Sequence, residues 1–195
     1  PVVLMAALLR RITAIIEPNS IPGFTNRILS RFVERVYVAF SKTEEFFQDD
    51  KTFLMGNPIR ASLFKEYKDY EKNSKQGFGL LILGGSQGAR QINRAIIEAL
   101  PHLEKEKNSL NIYHQTGSAD YEWIKRCYEE KQWAVQVSPF IDNLGKAYAY
   151  ADFVISRAGA STISEIIVCQ KPALFIPYPY AADDHQKYNA ESLSH

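Results

Sequence analysis

The sequence predicts an α/β protein of the doubly wound kind, with helices on both faces of a parallel sheet. Three observations lead there. From residue 78 onward, short apolar runs alternate with helical-period segments of about ten residues, the rhythm of parallel strands joined by crossover helices. The run Leu80-Leu81-Ile82-Leu83 stops at Gly84-Gly85 and a helical stretch follows at once, the order in which such domains build an anion site. Several runs end in loops of unusual composition, and ligands of these folds bind at the carboxyl ends of the strands.

Along the chain, Val2–Leu9 reads as a helix, Thr13–Ile16 as a strand and Glu17–Pro22 as a loop. Ile28, Leu29, Phe32 and Val33 put apolar residues at helical spacing, so a helix is predicted over Thr25–Val33. A strand at Tyr37–Phe40, a short helix around Glu44–Phe47 and a strand at Phe53–Met55 follow, ending at Gly56-Asn57-Pro58. Residues 65–77, KEYKDYEKNSKQG, are charged and nearly free of branched apolar side chains. They predict a surface linker between two domains, with a solvated helix inside one domain as the alternative. Beyond it, strands are predicted at Phe78–Leu83, Leu110–His114, Ala134–Ser138, Phe153–Ser156 and Ala173–Ile176. Helices are predicted at Gln91–Leu100, Ala119–Glu130, Asn143–Tyr150, Thr162–Cys169 and from Gln186 onward.

At 195 residues the chain is long enough for one or two domains, and 46% hydrophobic with 23% charged residues places it among globular proteins. A formal net charge of +1 gives no whole-molecule case for a nucleic-acid partner. The charge is uneven, however: residues 1–40 hold Arg10, Arg11, Arg27, Arg31 and Arg35 against only Glu17 and Glu34. Cys127 and Cys169 have no CxxC partner and fall in predicted helices, which suits packing residues in a reducing compartment. The opening PVVLMAALLRRITAII is apolar, but Arg10-Arg11 break it before the roughly 18 residues of a membrane span. Without a preceding basic region or a following cleavage site it is not read as a signal peptide. A start at Pro1 and a close at Ser194-His195, inside a new helix, predict a fragment of a longer protein.

Four strand-end loops share one rim of the predicted sheet. The first, Gly84-Gly85-Ser86-Gln87-Gly88, lets backbone N–H groups approach a phosphate, and the following helix adds its positive end. Its spacing is neither GxGxxG nor GxxxxGK[ST], which disfavours NAD and ATP. The second is Phe140-Ile141-Asp142, the third runs from Ser156 to Glu165, and the fourth from Pro177 to Gln186. In the third, Gly159 permits a sharp turn and Ser161 or Thr162 can cap a helix. Glu165 then has two readings. Thr162 to Glu165 is the T-x-x-E pattern of a capping box, or Glu165 accepts hydrogen bonds from a ribose diol while loop amides hold phosphate. Asp183, Asp184 and His185 do not present three side chains to one ion, so polar lining or an N-cap is preferred and no metal is assigned. His102 and His114, read at a surface turn and a strand end, are assigned nothing.

Five segments in order, IEPNSIPGFTNR, GNPIR, GGSQGARQIN, SRAGASTISE and PYPYAADDHQKYNA, closely resemble the MurG family of bacterial cell-wall N-acetylglucosaminyltransferases, and together they span nearly the whole chain. The resemblance implies a GT-B architecture of two Rossmann-like domains facing each other across a cleft. Residues 1–64 would be the C-terminal half of the acceptor- and membrane-side domain, and 78–195 the UDP-sugar donor domain without its C-terminal end. It implies transfer of N-acetylglucosamine from UDP-N-acetylglucosamine to the 4-hydroxyl of the muramoyl sugar in undecaprenyl-linked lipid I, with inversion, at the cytoplasmic face of the inner membrane. No cofactor or essential metal is implied. Carried over by motif position, the donor site holds Ser86 at the phosphates, the Ile141 backbone at uracil, and Ala160, Ser161, Thr162, Ile163, Ser164 and Glu165, with Glu165 on the ribose hydroxyls. Gln186 meets the sugar, Asn19 and Arg60 line the cleft, and Gly85 and Asn189 are lesser candidates.

The departures bear on catalysis. The family's His-Glu-Gln-Asn is Ile16-Glu17-Pro18-Asn19 here, and the family's N-terminal glycine loop with its proposed histidine base is not in this sequence. No catalytic base is therefore assigned, with Glu17 a weak acceptor-side candidate. Membrane contact through Val2–Leu9 and Arg10-Arg11 is expected of an enzyme with a polyprenyl acceptor, the alternative being a core helix with exposed arginines. The rival readings are a UDP-sugar-binding module without turnover and another UDP-sugar enzyme such as UDP-N-acetylglucosamine 2-epimerase.

Overall fold

The computed structural model describes residues 2–70, 77–84, 89–181 and 184–193. Contacts divide the chain into two compact units. The first comprises Pro1–Pro58, Ala158–Ser164 and Pro177–His195; the second comprises Ile59–Arg157 and Glu165–Ile176.

In the first unit, β1 (Ala14–Glu17), β2 (Arg35–Val38) and β3 (Thr52–Leu54) form a parallel sheet in that order. Ile15, Val36 and Val38 turn one face of it inward at the two-residue period of a strand, and Val33 completes the buried cluster with Val3, Leu29 and Phe47 packed around it. Helix α2 is shorter than its apolar period predicts, running Phe24–Leu29. The amides of Phe32 and Val33 both donate to the Leu29 carbonyl, closing the helix in a turn and releasing the chain into β2 two residues early. The segment predicted as a helix near Glu44 is a 3-10 turn, Ser41–Phe46, that buries Thr43. Helix α1 (Val2–Leu8) buries none of its residues fully, and its Val3 packs against the buried cluster of this unit.

The second unit carries five parallel strands: β4 (Phe78–Leu83), β5 (Leu110–Gln115), β6 (Val135–Ser138), β7 (Phe153–Ser156) and β8 (Ala173–Phe175). Their order is β6-β5-β4-β7-β8. Strand β4 shows why its run is apolar throughout. Leu81 and Leu83 face a core with Leu63, Tyr67, Tyr148, Val154 and Ile166, while Leu80 and Ile82 face one with Ile92, Ile112, Ile124 and Tyr128. The first core belongs to α3 (Ala61–Tyr70), α6 (Leu144–Tyr150) and α7 (Ala160–Val168), the second to α4 (Arg90–Ala99) and α5 (Tyr121–Glu130). Helix α7 gives Ala160–Ser164 to the first unit and the rest of its length to the second. The last described helix, α8, is His185–Glu191.

Residues 65–70 of the predicted linker lie inside α3, and 71–76 fall outside the described residues. Leu63 and Tyr67, four apart, bury one stripe of that helix, and the Tyr67 hydroxyl donates to the Cys169 carbonyl (3.0 Å). The composition misled because charged residues occupy the solvent face while a tyrosine carries the burial. Gly145 on α6 lets the two helices meet: a Cβ there would stand 2.4 Å from the Leu63 carbonyl oxygen and 2.9 Å from the Tyr67 amide.

Candidate functional site

The strand order places a switch point between β4 and β7, since the chain runs outward to β6 on one side and to β8 on the other. The crevice beyond the carboxyl ends of two such strands is where open α/β sheets hold ligands. The glycine loop leaves β4 there. Gly84 extends the ladder by donating to the Gln115 carbonyl (3.0 Å); Gly85, Ser86, Gln87 and Gly88 lie outside the described residues. Helix α4 starts at Arg90, and among the described residues no side chain caps its N-terminus, which leaves its first amides and its positive end without a side-chain partner there. From β7, the Arg157 guanidinium donates to the Gln91 side-chain oxygen on α4 and to the Ile176 carbonyl after β8, each at 3.0 Å.

Glu165 lies in the second turn of α7. The helix begins at Ala160, so Thr162 is already helical and the T-x-x-E capping box does not form. The glycine before it accounts for the shift: Gly159 supplies the carbonyl that accepts the Ile163 amide (2.9 Å), and the turn closes two residues early. Ser164 donates back to the Ala160 carbonyl (2.8 Å), Ile163 is buried and Ser161 is exposed. The Glu165 carboxylate, partly buried, accepts a hydrogen bond from the Tyr148 hydroxyl (3.0 Å). Burial pushes its pKa up, opposed by that hydrogen bond and by the positive charge of Arg60. Ile141 is buried in the core beside α6, which leaves its backbone as the part able to meet a ligand.

In the first unit, Glu17 ends β1 and is 2% exposed. Its Oε1 accepts from the Asn19 amide (3.0 Å) and side chain (3.2 Å), and its Oε2 from the Gly23 amide (3.0 Å) and Asn26 (2.9 Å). A carboxylate so enclosed organises the Pro18–Gly23 loop, a role that argues against the weak catalytic reading of this residue. Glu17→Gln is expected to cost about 1–3 kcal/mol, since an amide N–H then faces donors in a buried site, and urea unfolding would show it as a lowered midpoint. Asn189, also buried, accepts from the Ser20 amide (2.8 Å) and donates to Asn19 Oδ1 (3.1 Å) and the Ala158 carbonyl (3.3 Å), a tie rather than an open binding group. Gln186 accepts from the Tyr178 amide (2.9 Å). His185 opens α8 instead of capping it; the residue before the helix is Asp184, in a left-handed conformation with φ of 50° and no side-chain cap bond.

One network escaped the sequence reading altogether. His114 is fully buried, with Nδ1 2.9 Å from the Tyr128 hydroxyl and Nε2 3.0 Å from Asn93 Oδ1. Asn93 in turn donates to the Thr116 carbonyl and to Asp120, each at 2.9 Å, and Asp120 meets Arg90 at 3.4 Å. Because Asn93 spends its amide hydrogens elsewhere, Nε2 carries the histidine proton and Nδ1 accepts from tyrosine. Burial drives the imidazole pKa down to about 3, so the ring is neutral. The chain of bonds anchors the first turn of α4 to the end of β5. Its sequence signal was a polar residue, Asn93, on the otherwise apolar face of α4 that carries Ile92 and Ile96.

Such a sheet, with its ligand edge at the β4/β7 switch, defines a parallel α/β Rossmann-like domain of the kind that forms the C-terminal domain of GT-B glycosyltransferases. The chain belongs to glycosyltransferase family 28, whose C-terminal domain matches residues 79–195. It is 47% identical over 194 residues to the UDP-N-acetylglucosamine--N-acetylmuramyl-(pentapeptide) pyrophosphoryl-undecaprenol N-acetylglucosamine transferase of Geotalea daltonii, covering 99% of this chain and 53% of that protein. The crystal structure of Acinetobacter baumannii MurG matches with a TM-score of 0.77 at 37% identity, over 98% of this chain and 53% of that one. The UDP-GlcNAc 2-epimerase from Neisseria meningitidis, bound to UDP-GlcNAc, matches with a TM-score of 0.64 at 13% identity, over 93% and 57% of the two chains, a likeness of fold alone. The chain spans about half the length of the curated relatives it matches.

Proposed function

We propose that this chain is the donor-binding part of an inverting N-acetylglucosaminyltransferase that moves N-acetylglucosamine from UDP-N-acetylglucosamine to lipid I, forming lipid II for peptidoglycan. The observation that carries the reading is 47% identity along 99% of the chain to the Geotalea daltonii transferase. Residues 78–195 are assigned to the donor domain and 1–64 to the acceptor- and membrane-side domain. In the second unit, Ser86 and Gly85 serve the diphosphate, the Ile141 backbone the uracil, Glu165 the ribose hydroxyls, and Arg60 lies beside that carboxylate in charge range. In the first unit, Ala160–Ser164, Gln186 and Asn19 are assigned to the donor, with Asn189 holding Asn19 in place.

Inverting transfer needs the leaving diphosphate stabilised and the acceptor hydroxyl deprotonated. The amides at the start of α4, whose N-cap residue Ala89 makes no side-chain cap bond, suit the first task. The base is left unassigned, because Glu17 is committed to its loop. Membrane contact is assigned to the α1 segment, where Val2 is 82% and Ile12 90% exposed beside Arg10 and Arg11, at the cytoplasmic face of the inner membrane. Among the described residues no helix is long and apolar enough to cross a membrane.

Glu165→Ala is expected to weaken UDP binding by roughly 1.5–3 kcal/mol, the scale of hydrogen bonds to a charged group. Calorimetry on the folded variant checks it, and an unchanged affinity would remove Glu165 from the ribose. Turnover of a lipid I analogue with UDP-N-acetylglucosamine separates transfer from binding without chemistry.

A further inference from the structure

Tyr148 was assigned no role by its position in the sequence, yet it meets the carboxylate on which the ribose reading depends. Its ring is fully buried on α6, packed in the core that holds Leu63, Leu81, Val154 and Ile166. Only the hydroxyl reaches a polar partner, donating to Glu165 Oε2 at 3.0 Å from seventeen residues away in the chain. A ring locked by packing has no freedom to follow a mobile partner, so the carboxylate takes its orientation from the tyrosine and not the reverse. A glutamate held in one rotamer before ligand arrives keeps the ordering cost out of the binding step.

We propose that Tyr148 is a positioning residue that orients the Glu165 carboxylate toward the vicinal diol of a ribonucleoside diphosphate, and so sets the preference for ribose over 2′-deoxyribose. The inference rests on the assignment of Glu165 to the ribose. The charged and titratable groups around that carboxylate are Tyr148 from α6 and Arg60 from the segment before α3, with Cys169 beside Tyr148. Burial, together with the neighbouring Glu165 charge, holds the Tyr148 phenol well above its usual pKa, so it stays a donor across the working pH range. The same hydrogen bond lowers the Glu165 pKa that burial raises. Losing the hydroxyl therefore raises that pKa further. Affinity that needs the carboxylate then falls away at a higher pH as the solution is acidified.

The test compares UDP with 2′-deoxy-UDP by calorimetry, between pH 5 and pH 8, in the unmodified protein, Tyr148→Phe and Glu165→Ala. Phenylalanine keeps the ring, and the ratio of two affinities in one variant does not depend on the folded fraction. The unmodified protein should prefer UDP by roughly tenfold or more, the worth of a hydrogen bond to a charged group. Glu165→Ala should abolish the preference. Tyr148→Phe should reduce it by about three- to tenfold, leave 2′-deoxy-UDP within about twofold, and shift the acid limb of UDP binding to higher pH. Retention of both the ratio and the pH profile in Tyr148→Phe, with the preference lost in Glu165→Ala, overturns the positioning role and leaves the ribose assignment intact. Retention of the preference in Glu165→Ala overturns both.

Discussion

Replacing Gly145 by alanine is expected to destabilise the second unit by about 3 kcal/mol, the upper part of the range for forcing volume into a packed contact. The new methyl would sit 2.4 Å from the Leu63 carbonyl oxygen, 2.6 Å from Glu66 Cβ and 2.9 Å from the Tyr67 amide. Two of these three neighbours are backbone atoms of one helix, so no rotamer change relieves the clash and α3 must move away from α6. That movement loosens Leu63, Tyr67 and Tyr148 together, because all three share one core. The measurable result is a melting temperature lower by roughly 6–12 °C, taking about 2–4 °C per kcal/mol for a chain of this size. A melting temperature unchanged within error would mean that the helices are not in contact at this glycine.

Acidification is expected to act through His114. Its imidazole is held near a pKa of about 3 in the folded protein by burial, against the ordinary value of 6.5. The unfolded chain therefore binds a proton that the folded one refuses, and stability present above pH 6.5 is lost as the pH falls toward 3. Between pH 7 and pH 4 this one residue withdraws about 3 kcal/mol, at roughly 1.4 kcal/mol for each pH unit below 6.5. Carboxylates titrate in the same window, so the comparison is between the unmodified protein and His114→Gln, which retains a donor and an acceptor but has no titrating ring. Urea unfolding at the two pH values should show a smaller loss in the variant by about 3 kcal/mol. Equal losses would place the acid sensitivity elsewhere. At pH 7 the variant should also be weaker by about 1–3 kcal/mol, if the amide fails to span both Tyr128 and Asn93.

These expectations mark where the sequence could and could not be read. The alternation from Phe78 to Phe175 was legible because the central strand β4 is covered on both faces and carries an unbroken apolar run, and helices of regular length separate it from its neighbours. The first unit was less so: its strands are only three or four residues long, and a turn at Leu29 outweighed an apolar period that continued to Val33. The linker reading of residues 65–77 failed at its first half because a helix needs only one buried stripe, and Tyr67 supplies it amid charges. For the site, motif positions named Glu165, Ile141 and Arg60, and the structure gathers these in one unit with Tyr148. Glu17, a weak catalytic candidate, and Asn189, a lesser binding candidate, both tie loops together in the first unit, since every oxygen of Glu17 and the amide of Asn189 meet protein partners.

By itself the sequence determined the class of fold and the strand that ends at Gly84, and it led to the expectation of a phosphate-bearing ligand there. Those follow from local rules: residue period, glycine at a strand end and the polarity of a helix terminus. The tertiary structure alone decided the strand order that puts the switch between β4 and β7, the contact of Gly145 with Leu63 and the meeting of Tyr148 with Glu165. Each joins residues far apart along the chain through packing of whole helices on a sheet, and packing leaves no periodic mark in either partner's sequence.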